Sequence, residues 1–162
     1  MTGYYVNCHV ELAWCGEAKV EYRKFDELLV GETFLSAGLT LTEHHVVSFA
    51  GLTGDFHPMH MDESVASESR FGKRIAHGML VMGICNGLVN QTDRFHALAF
   101  LGLEWNMLKP VFVGDTVRAR STLVSKQLTS SGRHGVVGHS RQVINQRDEL
   151  VQDGMTRILV EV

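Results

Sequence analysis

Residues 78–92 read GMLVMGICNGLVNQT, and the first three turns of that run carry apolar side chains on nearly every side. A helix without a polar face has to be covered by the rest of the chain, so the run predicts a buried helix, not a surface one. Gly83 and Gly87 fall on one face of it, and each costs about 1 kcal/mol of helix propensity relative to alanine. That cost predicts a close approach to the backbone, with tight packing against a sheet favoured over contact with a ligand.

Downstream the pattern changes from helical to alternating. Residues 97–107 form the first predicted strand, and Pro110 with Gly114 and Asp115 marks the turn after it. In residues 116–128, Val117, Ala119 and Leu123 share one face and Arg118, Arg120 and Lys126 the other, as in a half-exposed strand. Ser130, Ser131 and Gly132 punctuate the chain, and residues 133–146 are again extended. Gln152, Asp153 and Gly154 read as a turn into a last strand whose Thr156, Ile158, Val160 and Val162 share a face. A buried helix followed by three or four long antiparallel strands has only those strands to cover it, which predicts an α+β layer architecture. There is no internal repeat.

Upstream, residues 32–41 (ETFLSAGLTL) read as a strand interrupted at Gly38. Thr42 stands where an N-cap is needed ahead of EHHVVSFAGL, a helix with Val46, Phe49 and Ala50 on one face, His45 at its edge and its end near Gly54. Asp62 is a second N-cap, for ESVASES. Residues 1–29 mix aromatic and charged side chains and are expected to be an N-terminal arm or an added edge strand on a single domain of residues 30–162.

With 44% hydrophobic and 20% charged residues and a net charge of -3, the chain is of ordinary globular composition. It has no basic field for a nucleic acid. Its beginning does not resemble a signal peptide, and residues 78–89 are too short to span a bilayer. Cys8, Cys15 and Cys85 make an odd set without metal-type spacing, and Cys8 and Cys15 around His9 match no zinc pattern. A reducing, cytoplasmic setting is the expectation.

Chemistry concentrates in GDFHPMH, residues 54–60. Pro58 disfavours helix at His57 and stiffens the segment, so a rigid loop is expected to aim Asp55 and His60 at one place. A histidine moves protons near neutral pH, and a carboxylate orients it or shares the base role. Taken alone, such a pair is more often a cap, a turn or a satisfied surface group. His57, His60 and His77 with Asp55 could also be assembled as a metal site, though no metal motif requires it. At Gly78 the helix begins, where amides lack acceptors and the dipole favours negative charge. That amide is either an uncovered donor for a developing oxyanion or simply a tight corner.

Together these elements carry a resemblance. TGDFHPMHMDESVASESRFGKRIAHGML, residues 53–80, closely resembles the signature of the MaoC-like hydratases, G-D-x-N-P-x-H-x-D followed by F-x-x-x-I-A-H-G-M, with the same order and intervals. KPVFVGDTVRARSTLV, residues 109–124, resembles the family's K-P-V-x-x-G-D-T segment. The resemblance implies a hotdog fold, a long central helix wrapped by an antiparallel sheet, and a homodimer or dimer-based oligomer with its active sites near the subunit interface. It implies reversible hydration of a trans-2-enoyl-CoA to an (R)-3-hydroxyacyl-CoA, with Asp55 and His60 as the catalytic pair and the Gly78 amide as oxyanion donor. No metal or redox cofactor is implied, coenzyme A being part of the substrate.

His57 departs from the family's usual Asn. It either meets a polar or acidic acyl group or braces the loop, and the brace is the favoured reading. Phe56, His57, Met59, Phe71 and His77 are the candidate substrate contacts, with Met61 a further candidate wall of an acyl pocket. Arg118, Arg120 and Lys126 would reach phosphates of coenzyme A or form a solvated strand face, the latter favoured. A thioesterase on the same fold and a non-catalytic acyl-CoA-binding subunit are the competing functions.

Overall fold

A computed structural model describes residues 22–90 and 94–162. In chain order its elements are β1 (Thr33–Leu35), β2 (Leu39–Thr40), α1 (Glu43–Thr53), α2 (Pro58–Met61), α3 (Glu63–Ser67), α4 (Gly78–Asn90), β3 (Ala97–Met107), β4 (Thr116–Leu128), β5 (His134–Asn145) and β6 (Leu150–Glu161). The readings of Cys8, His9 and Cys15, and of the helix beyond Asn90 to Thr92, lie outside the described residues.

The strands form one antiparallel sheet in the order β1-β4-β5-β6-β3, with β2 also on β4. α4 lies across β4 and β5. Val81, Cys85, Leu88 and Val89 from the helix meet Val117, Ala119, Val143 and Val151 from the strands, with Leu41, Val46, Ala76 and Val111 closing the cluster. Alternation along β4 and β5 supplies this inner face, as the sequence predicts. A second cluster joins Phe25 and Leu28 to Phe95, Leu123, Val137, Ile158 and Val160. Gly135 makes room for it, since a Cβ there would fall 2.3 Å from the Phe25 ring.

Local signals were accurate upstream. α1 starts after Thr42, whose backbone N–H donates to His45 Nδ1 at 2.9 Å, and ends on left-handed Gly54 at φ 77°. Asp62 caps α3 by accepting from the amides of Ser64 and Val65. The break between β1 and β2 starts at Ser36, whose hydroxyl accepts from Ala119 N–H at 2.9 Å and takes the place of a ladder bond.

Four expectations need correction. α4 is 13 residues long, an ordinary globular length, and not the long central helix expected. It is buried on one face only: Met79, Gly83, Gly87 and Asn90 are exposed, and a Cβ on Gly83 or Gly87 would meet nothing within 4 Å. The glycines therefore face away from the sheet. Residues 152–154 are not a turn, because β6 runs straight through them. Gly154 is required there by packing, since a Cβ would fall 2.3 Å from the Trp105 ring and from the Glu104 carbonyl oxygen; the chain turns instead between Asn145 and Glu149, with Asp148 at φ 58°. Finally, residues 58–61 are a helical turn and not a loop, with Pro58 at the first position, where its missing N–H costs nothing. Among the described residues no helix is long and apolar enough to cross a membrane.

Candidate active site

The left-handed Gly54 turns the chain out of α1, and Asp55 follows it. Asp55 Oδ1 accepts from His57 N–H at 3.3 Å, and His57 Nδ1 accepts from Met59 N–H at 3.2 Å, capping α2. The third residue of α2 is His60.

His60 Nδ1 donates to the Ile75 carbonyl oxygen at 2.8 Å. This bond fixes the tautomer: the hydrogen sits on Nδ1, and Nε2 keeps a lone pair. Ile75 is held in turn, because its N–H donates to the Met59 carbonyl and the next amide, Ala76, donates to Val111 at 2.7 Å. Burial pushes the His60 pKa below its ordinary 6.5, aided by His77 and His57 and opposed by the Ile75 bond and Asp55. That direction favours the neutral ring, the state a base requires.

His77 is 2% exposed. Its Nε2 donates to the Asp55 backbone carbonyl at 2.9 Å and lies 4.0 Å from Asp55 Oδ2. Its ring lies on that of His60, with centroids 3.9 Å apart and planes tilted 32°. Next in the chain is Gly78, the first residue of α4, whose N–H meets no acceptor among the described residues. Its carbonyl accepts from Gln152 Nε2 at 3.1 Å, and Gln152 Oε1 accepts from Trp105 Nε1 at 3.0 Å.

His60 and Gly78 line one cavity of about 260 Å³, walled also by Arg70, Phe71, Val81, Met107, Lys109 and Gln152. Of the sequence candidates, Phe71 is on this wall with His60 and Gly78, whereas Asp55, Phe56, His57, Met59, Met61 and His77 are not. Phe56 is 58% exposed and His77 is enclosed. Arg118 and Arg120 line a separate groove with Leu35 and Ile144, while Lys126 Nζ donates to the carbonyl oxygens of Phe25 and Asp26. Gln152, Met107, Arg70 and Lys109 were not foreseen. Inward alternation along β6 would have marked Gln152 had that stretch not been read as a turn.

Ligand atoms of Asp55, His60 and His77 lie within 4.8 Å of one another, so these three could hold a cation; His57 is not in the set. His60 Nδ1 and His77 Nε2 are engaged, on Ile75 and on the Asp55 carbonyl, while His60 Nε2 keeps its lone pair and His77 Nδ1 has no hydrogen-bond partner. What the arrangement offers directly is an imidazole with a free lone pair on Nε2, a half-exposed carboxylate beside it, and Gly78, the first residue of α4, on the same cavity as His60.

Compared with known families, residues 27–144 match the MaoC like domain. The chain belongs to the MaoC-like family. This hotdog-fold family of hydratases and dehydratases includes Protein MaoC of Klebsiella aerogenes, 37% identical over 107 residues, which are 65% of this chain and 32% of that protein. The MaoC-like chain thus spans about a third of the Klebsiella protein. It is 33% identical over 107 residues to the (R)-specific enoyl-CoA hydratase of Aeromonas caviae, covering 59% of this chain and 80% of that one. Among solved structures, an Archaeoglobus monoamine oxidase regulatory protein superposes with a TM-score of 0.82 at 37% identity, over 87% of this chain and 95% of the other. The R-hydratase PhaJ1 of Pseudomonas aeruginosa gives a TM-score of 0.72 at 25% identity, over 85% of each chain.

Proposed function

We propose that this protein reversibly hydrates a trans-2-enoyl-CoA, of short or branched acyl chain, to the (R)-3-hydroxyacyl-CoA. The observation that carries the reading is that His60, its Nδ1 held on Ile75 and its Nε2 left with a lone pair, lines one cavity with Gly78 at the start of α4. The thioester carbonyl oxygen is taken to lie against the Gly78 amide. A water held by Asp55 and His60 gives a proton to His60 Nε2 as its oxygen bonds to C3; the C2–C3 π electrons shift to form an enolate, and its negative oxygen is stabilised at the helix start. A proton then returns to C2, and dehydration is the same path reversed. Hydration is redox neutral, so the reading assigns no electron carrier and no cofactor beyond the coenzyme A of the substrate. Relatives named (R)-specific enoyl-CoA hydratase and 3-hydroxybutyryl-CoA dehydratase support this chemistry, and a cavity of about 260 Å³ suits a small acyl group.

The test is loss of the conjugated enoyl-thioester absorbance over a panel of acyl lengths, with Asp55→Ala and His60→Ala as controls. Equal turnover by all three proteins sinks the mechanism. Release of free coenzyme A without hydration indicates a thioesterase, and binding without turnover a non-catalytic subunit.

A homodimer is part of the proposal. β3 is a sheet edge of 11 residues on which Leu98, Phe100, Leu101, Leu103 and Met107 are exposed, and an uncovered apolar edge recruits another strand. Met107 also walls the cavity, so a second copy paired there would adjoin the site. Sedimentation equilibrium is expected to give a dimer; a stable monomer refutes it.

A further inference from the structure

His77 is used by no step of the proposed reaction, yet it touches every group that is. Its Nε2–H holds the Asp55 carbonyl at 2.9 Å, its ring lies against that of His60, tilted by 32° with centroids 3.9 Å apart, and its own carbonyl carbon is bonded to the nitrogen of Gly78. Phe49 packs on it at 5.0 Å. Its side chain thus meets both the carboxylate residue and the base, and its backbone leads straight into the oxyanion amide.

Other roles fit this ring poorly. At 2% exposure it is not a substrate contact. It is not a base, because Nε2 is engaged and Nδ1 is buried without a hydrogen-bond partner. An unpaired buried polar atom costs about 1–3 kcal/mol, a cost that phenylalanine, equally flat, would not incur. The polar ring is therefore explained by its one N–H together with its flat face.

We propose that His77 is a positioning residue, whose N–H fixes the Asp55 turn and whose ring sets the angle of His60, holding both in register with the Gly78 amide. The proposal deepens the hydratase reading and rests on it for its kinetic arm. The groups facing His77 are Asp55, His60 and Phe49, with His57 beyond His60 at 6.1 Å between ring centroids.

Two variants separate the functions of the ring. His77→Phe keeps the flat face and removes the donor; His77→Gln keeps an amide N–H near the Nε2 position and removes the face. With but-2-enoyl-CoA, His77→Phe is expected to lower kcat about tenfold to a hundredfold, as for a reacting group misplaced by about 1 Å, with KM within about twofold of wild type. His77→Gln is expected to recover part of that loss. Wild-type kcat in His77→Phe, or a loss residing entirely in KM, overturns the proposal. A measurement on the wild type needs no variant to fold: imidazole ¹⁵N spectra are expected to place the His77 hydrogen on Nε2, and the Nδ1–H tautomer overturns the proposal because the Asp55 bond would then lack its donor. If the wild type turns over no enoyl thioester, the hydratase reading fails by itself. Positioning is then decided by the Asp55 and Phe56 amide resonances, which should shift in His77→Phe and stay in place in His77→Gln; no shift in either overturns it.

Discussion

Gly78→Ala separates catalysis from stability. Gly78 has no positive φ, so its backbone accepts alanine without strain, and an alanine at the start of α4 gains up to about 1 kcal/mol of helix propensity. Against this, the added Cβ falls 2.9 Å from Met107 Sδ and 3.1 Å from its Cε. These are the far atoms of a flexible side chain that is 50% exposed, and turning them aside costs about 0.5–1.5 kcal/mol. The two terms cancel to within about 1 kcal/mol, so the urea midpoint should scarcely move. The reaction fares differently. The Cβ stands beside the N–H that receives the carbonyl oxygen, and the displaced Met107 enters the space the acyl group needs. Alanine keeps the N–H, so the loss comes from its Cβ and the displaced Met107 holding the oxygen off that donor, and its upper bound is the loss of one oxyanion donor, about a hundredfold to a thousandfold in kcat, or about 2.7–4 kcal/mol. Enoyl-CoA hydration rates measured beside urea unfolding decide the matter. Adding Met107→Ala should relieve the overlap without restoring the rate. A folded Gly78→Ala protein with wild-type kcat would refute the assignment of the oxyanion to this amide.

Three further outcomes are expected. The acid limb of kcat/KM should have its midpoint below 6.5, the ordinary value from which burial first, then His77 and His57, lower the His60 pKa; activity holds above that midpoint and falls as His60 protonates. Because the folded pKa is the lower one, the stability His60 contributes is present above its unfolded pKa and lost as pH falls through the folded value, which melting curves of wild type and His60→Phe would register. His57→Asn should keep the cap on Met59 N–H, leaving kcat within about threefold of wild type if the side chain is a brace; a larger loss, concentrated in one class of acyl substrate, would make His57 a specificity group. Asp115→Ala should cost about 2–3 kcal/mol by urea unfolding while turnover per folded molecule is kept, since it strands donors of Phe112, Gln146 and Arg147. Burial opposes ionisation of Asp115, but those three bonds prevail and hold its pKa below the usual range, so its contribution is lost as pH falls through that lowered value.

What was legible in the sequence was local. Thr42, Gly54 and Asp62 act within three or four residues of themselves, and each was found at the helix end it marks. The Gly78 corner was legible for the same reason. Gly154 was misread because a glycine in a strand and a glycine in a turn look alike until the partner strand is known; here Trp105, on β3, demands the missing Cβ. That error hid Gln152, whose place on the wall depends on β6 pairing with β3 in a register that puts Gln152 opposite Met107. Arg70 and the pair Met107 and Lys109 meet at the cavity from two separate segments, and no local pattern encodes that meeting.

Gly83 and Gly87 show the opposite failure, in which the energetic reasoning was sound and its object lay elsewhere. Two glycines within α4 forgo about 2 kcal/mol of helix propensity, and within the described residues nothing comes close enough to account for it. A backbone left bare on one side of a helix whose other side is fully packed accommodates a neighbour at short range. β3, a sheet edge with its apolar side chains exposed, has the same unmet requirement. The second copy proposed above would have to meet such a surface, so the features that one subunit leaves unexplained are where the proposed dimer is to be tested.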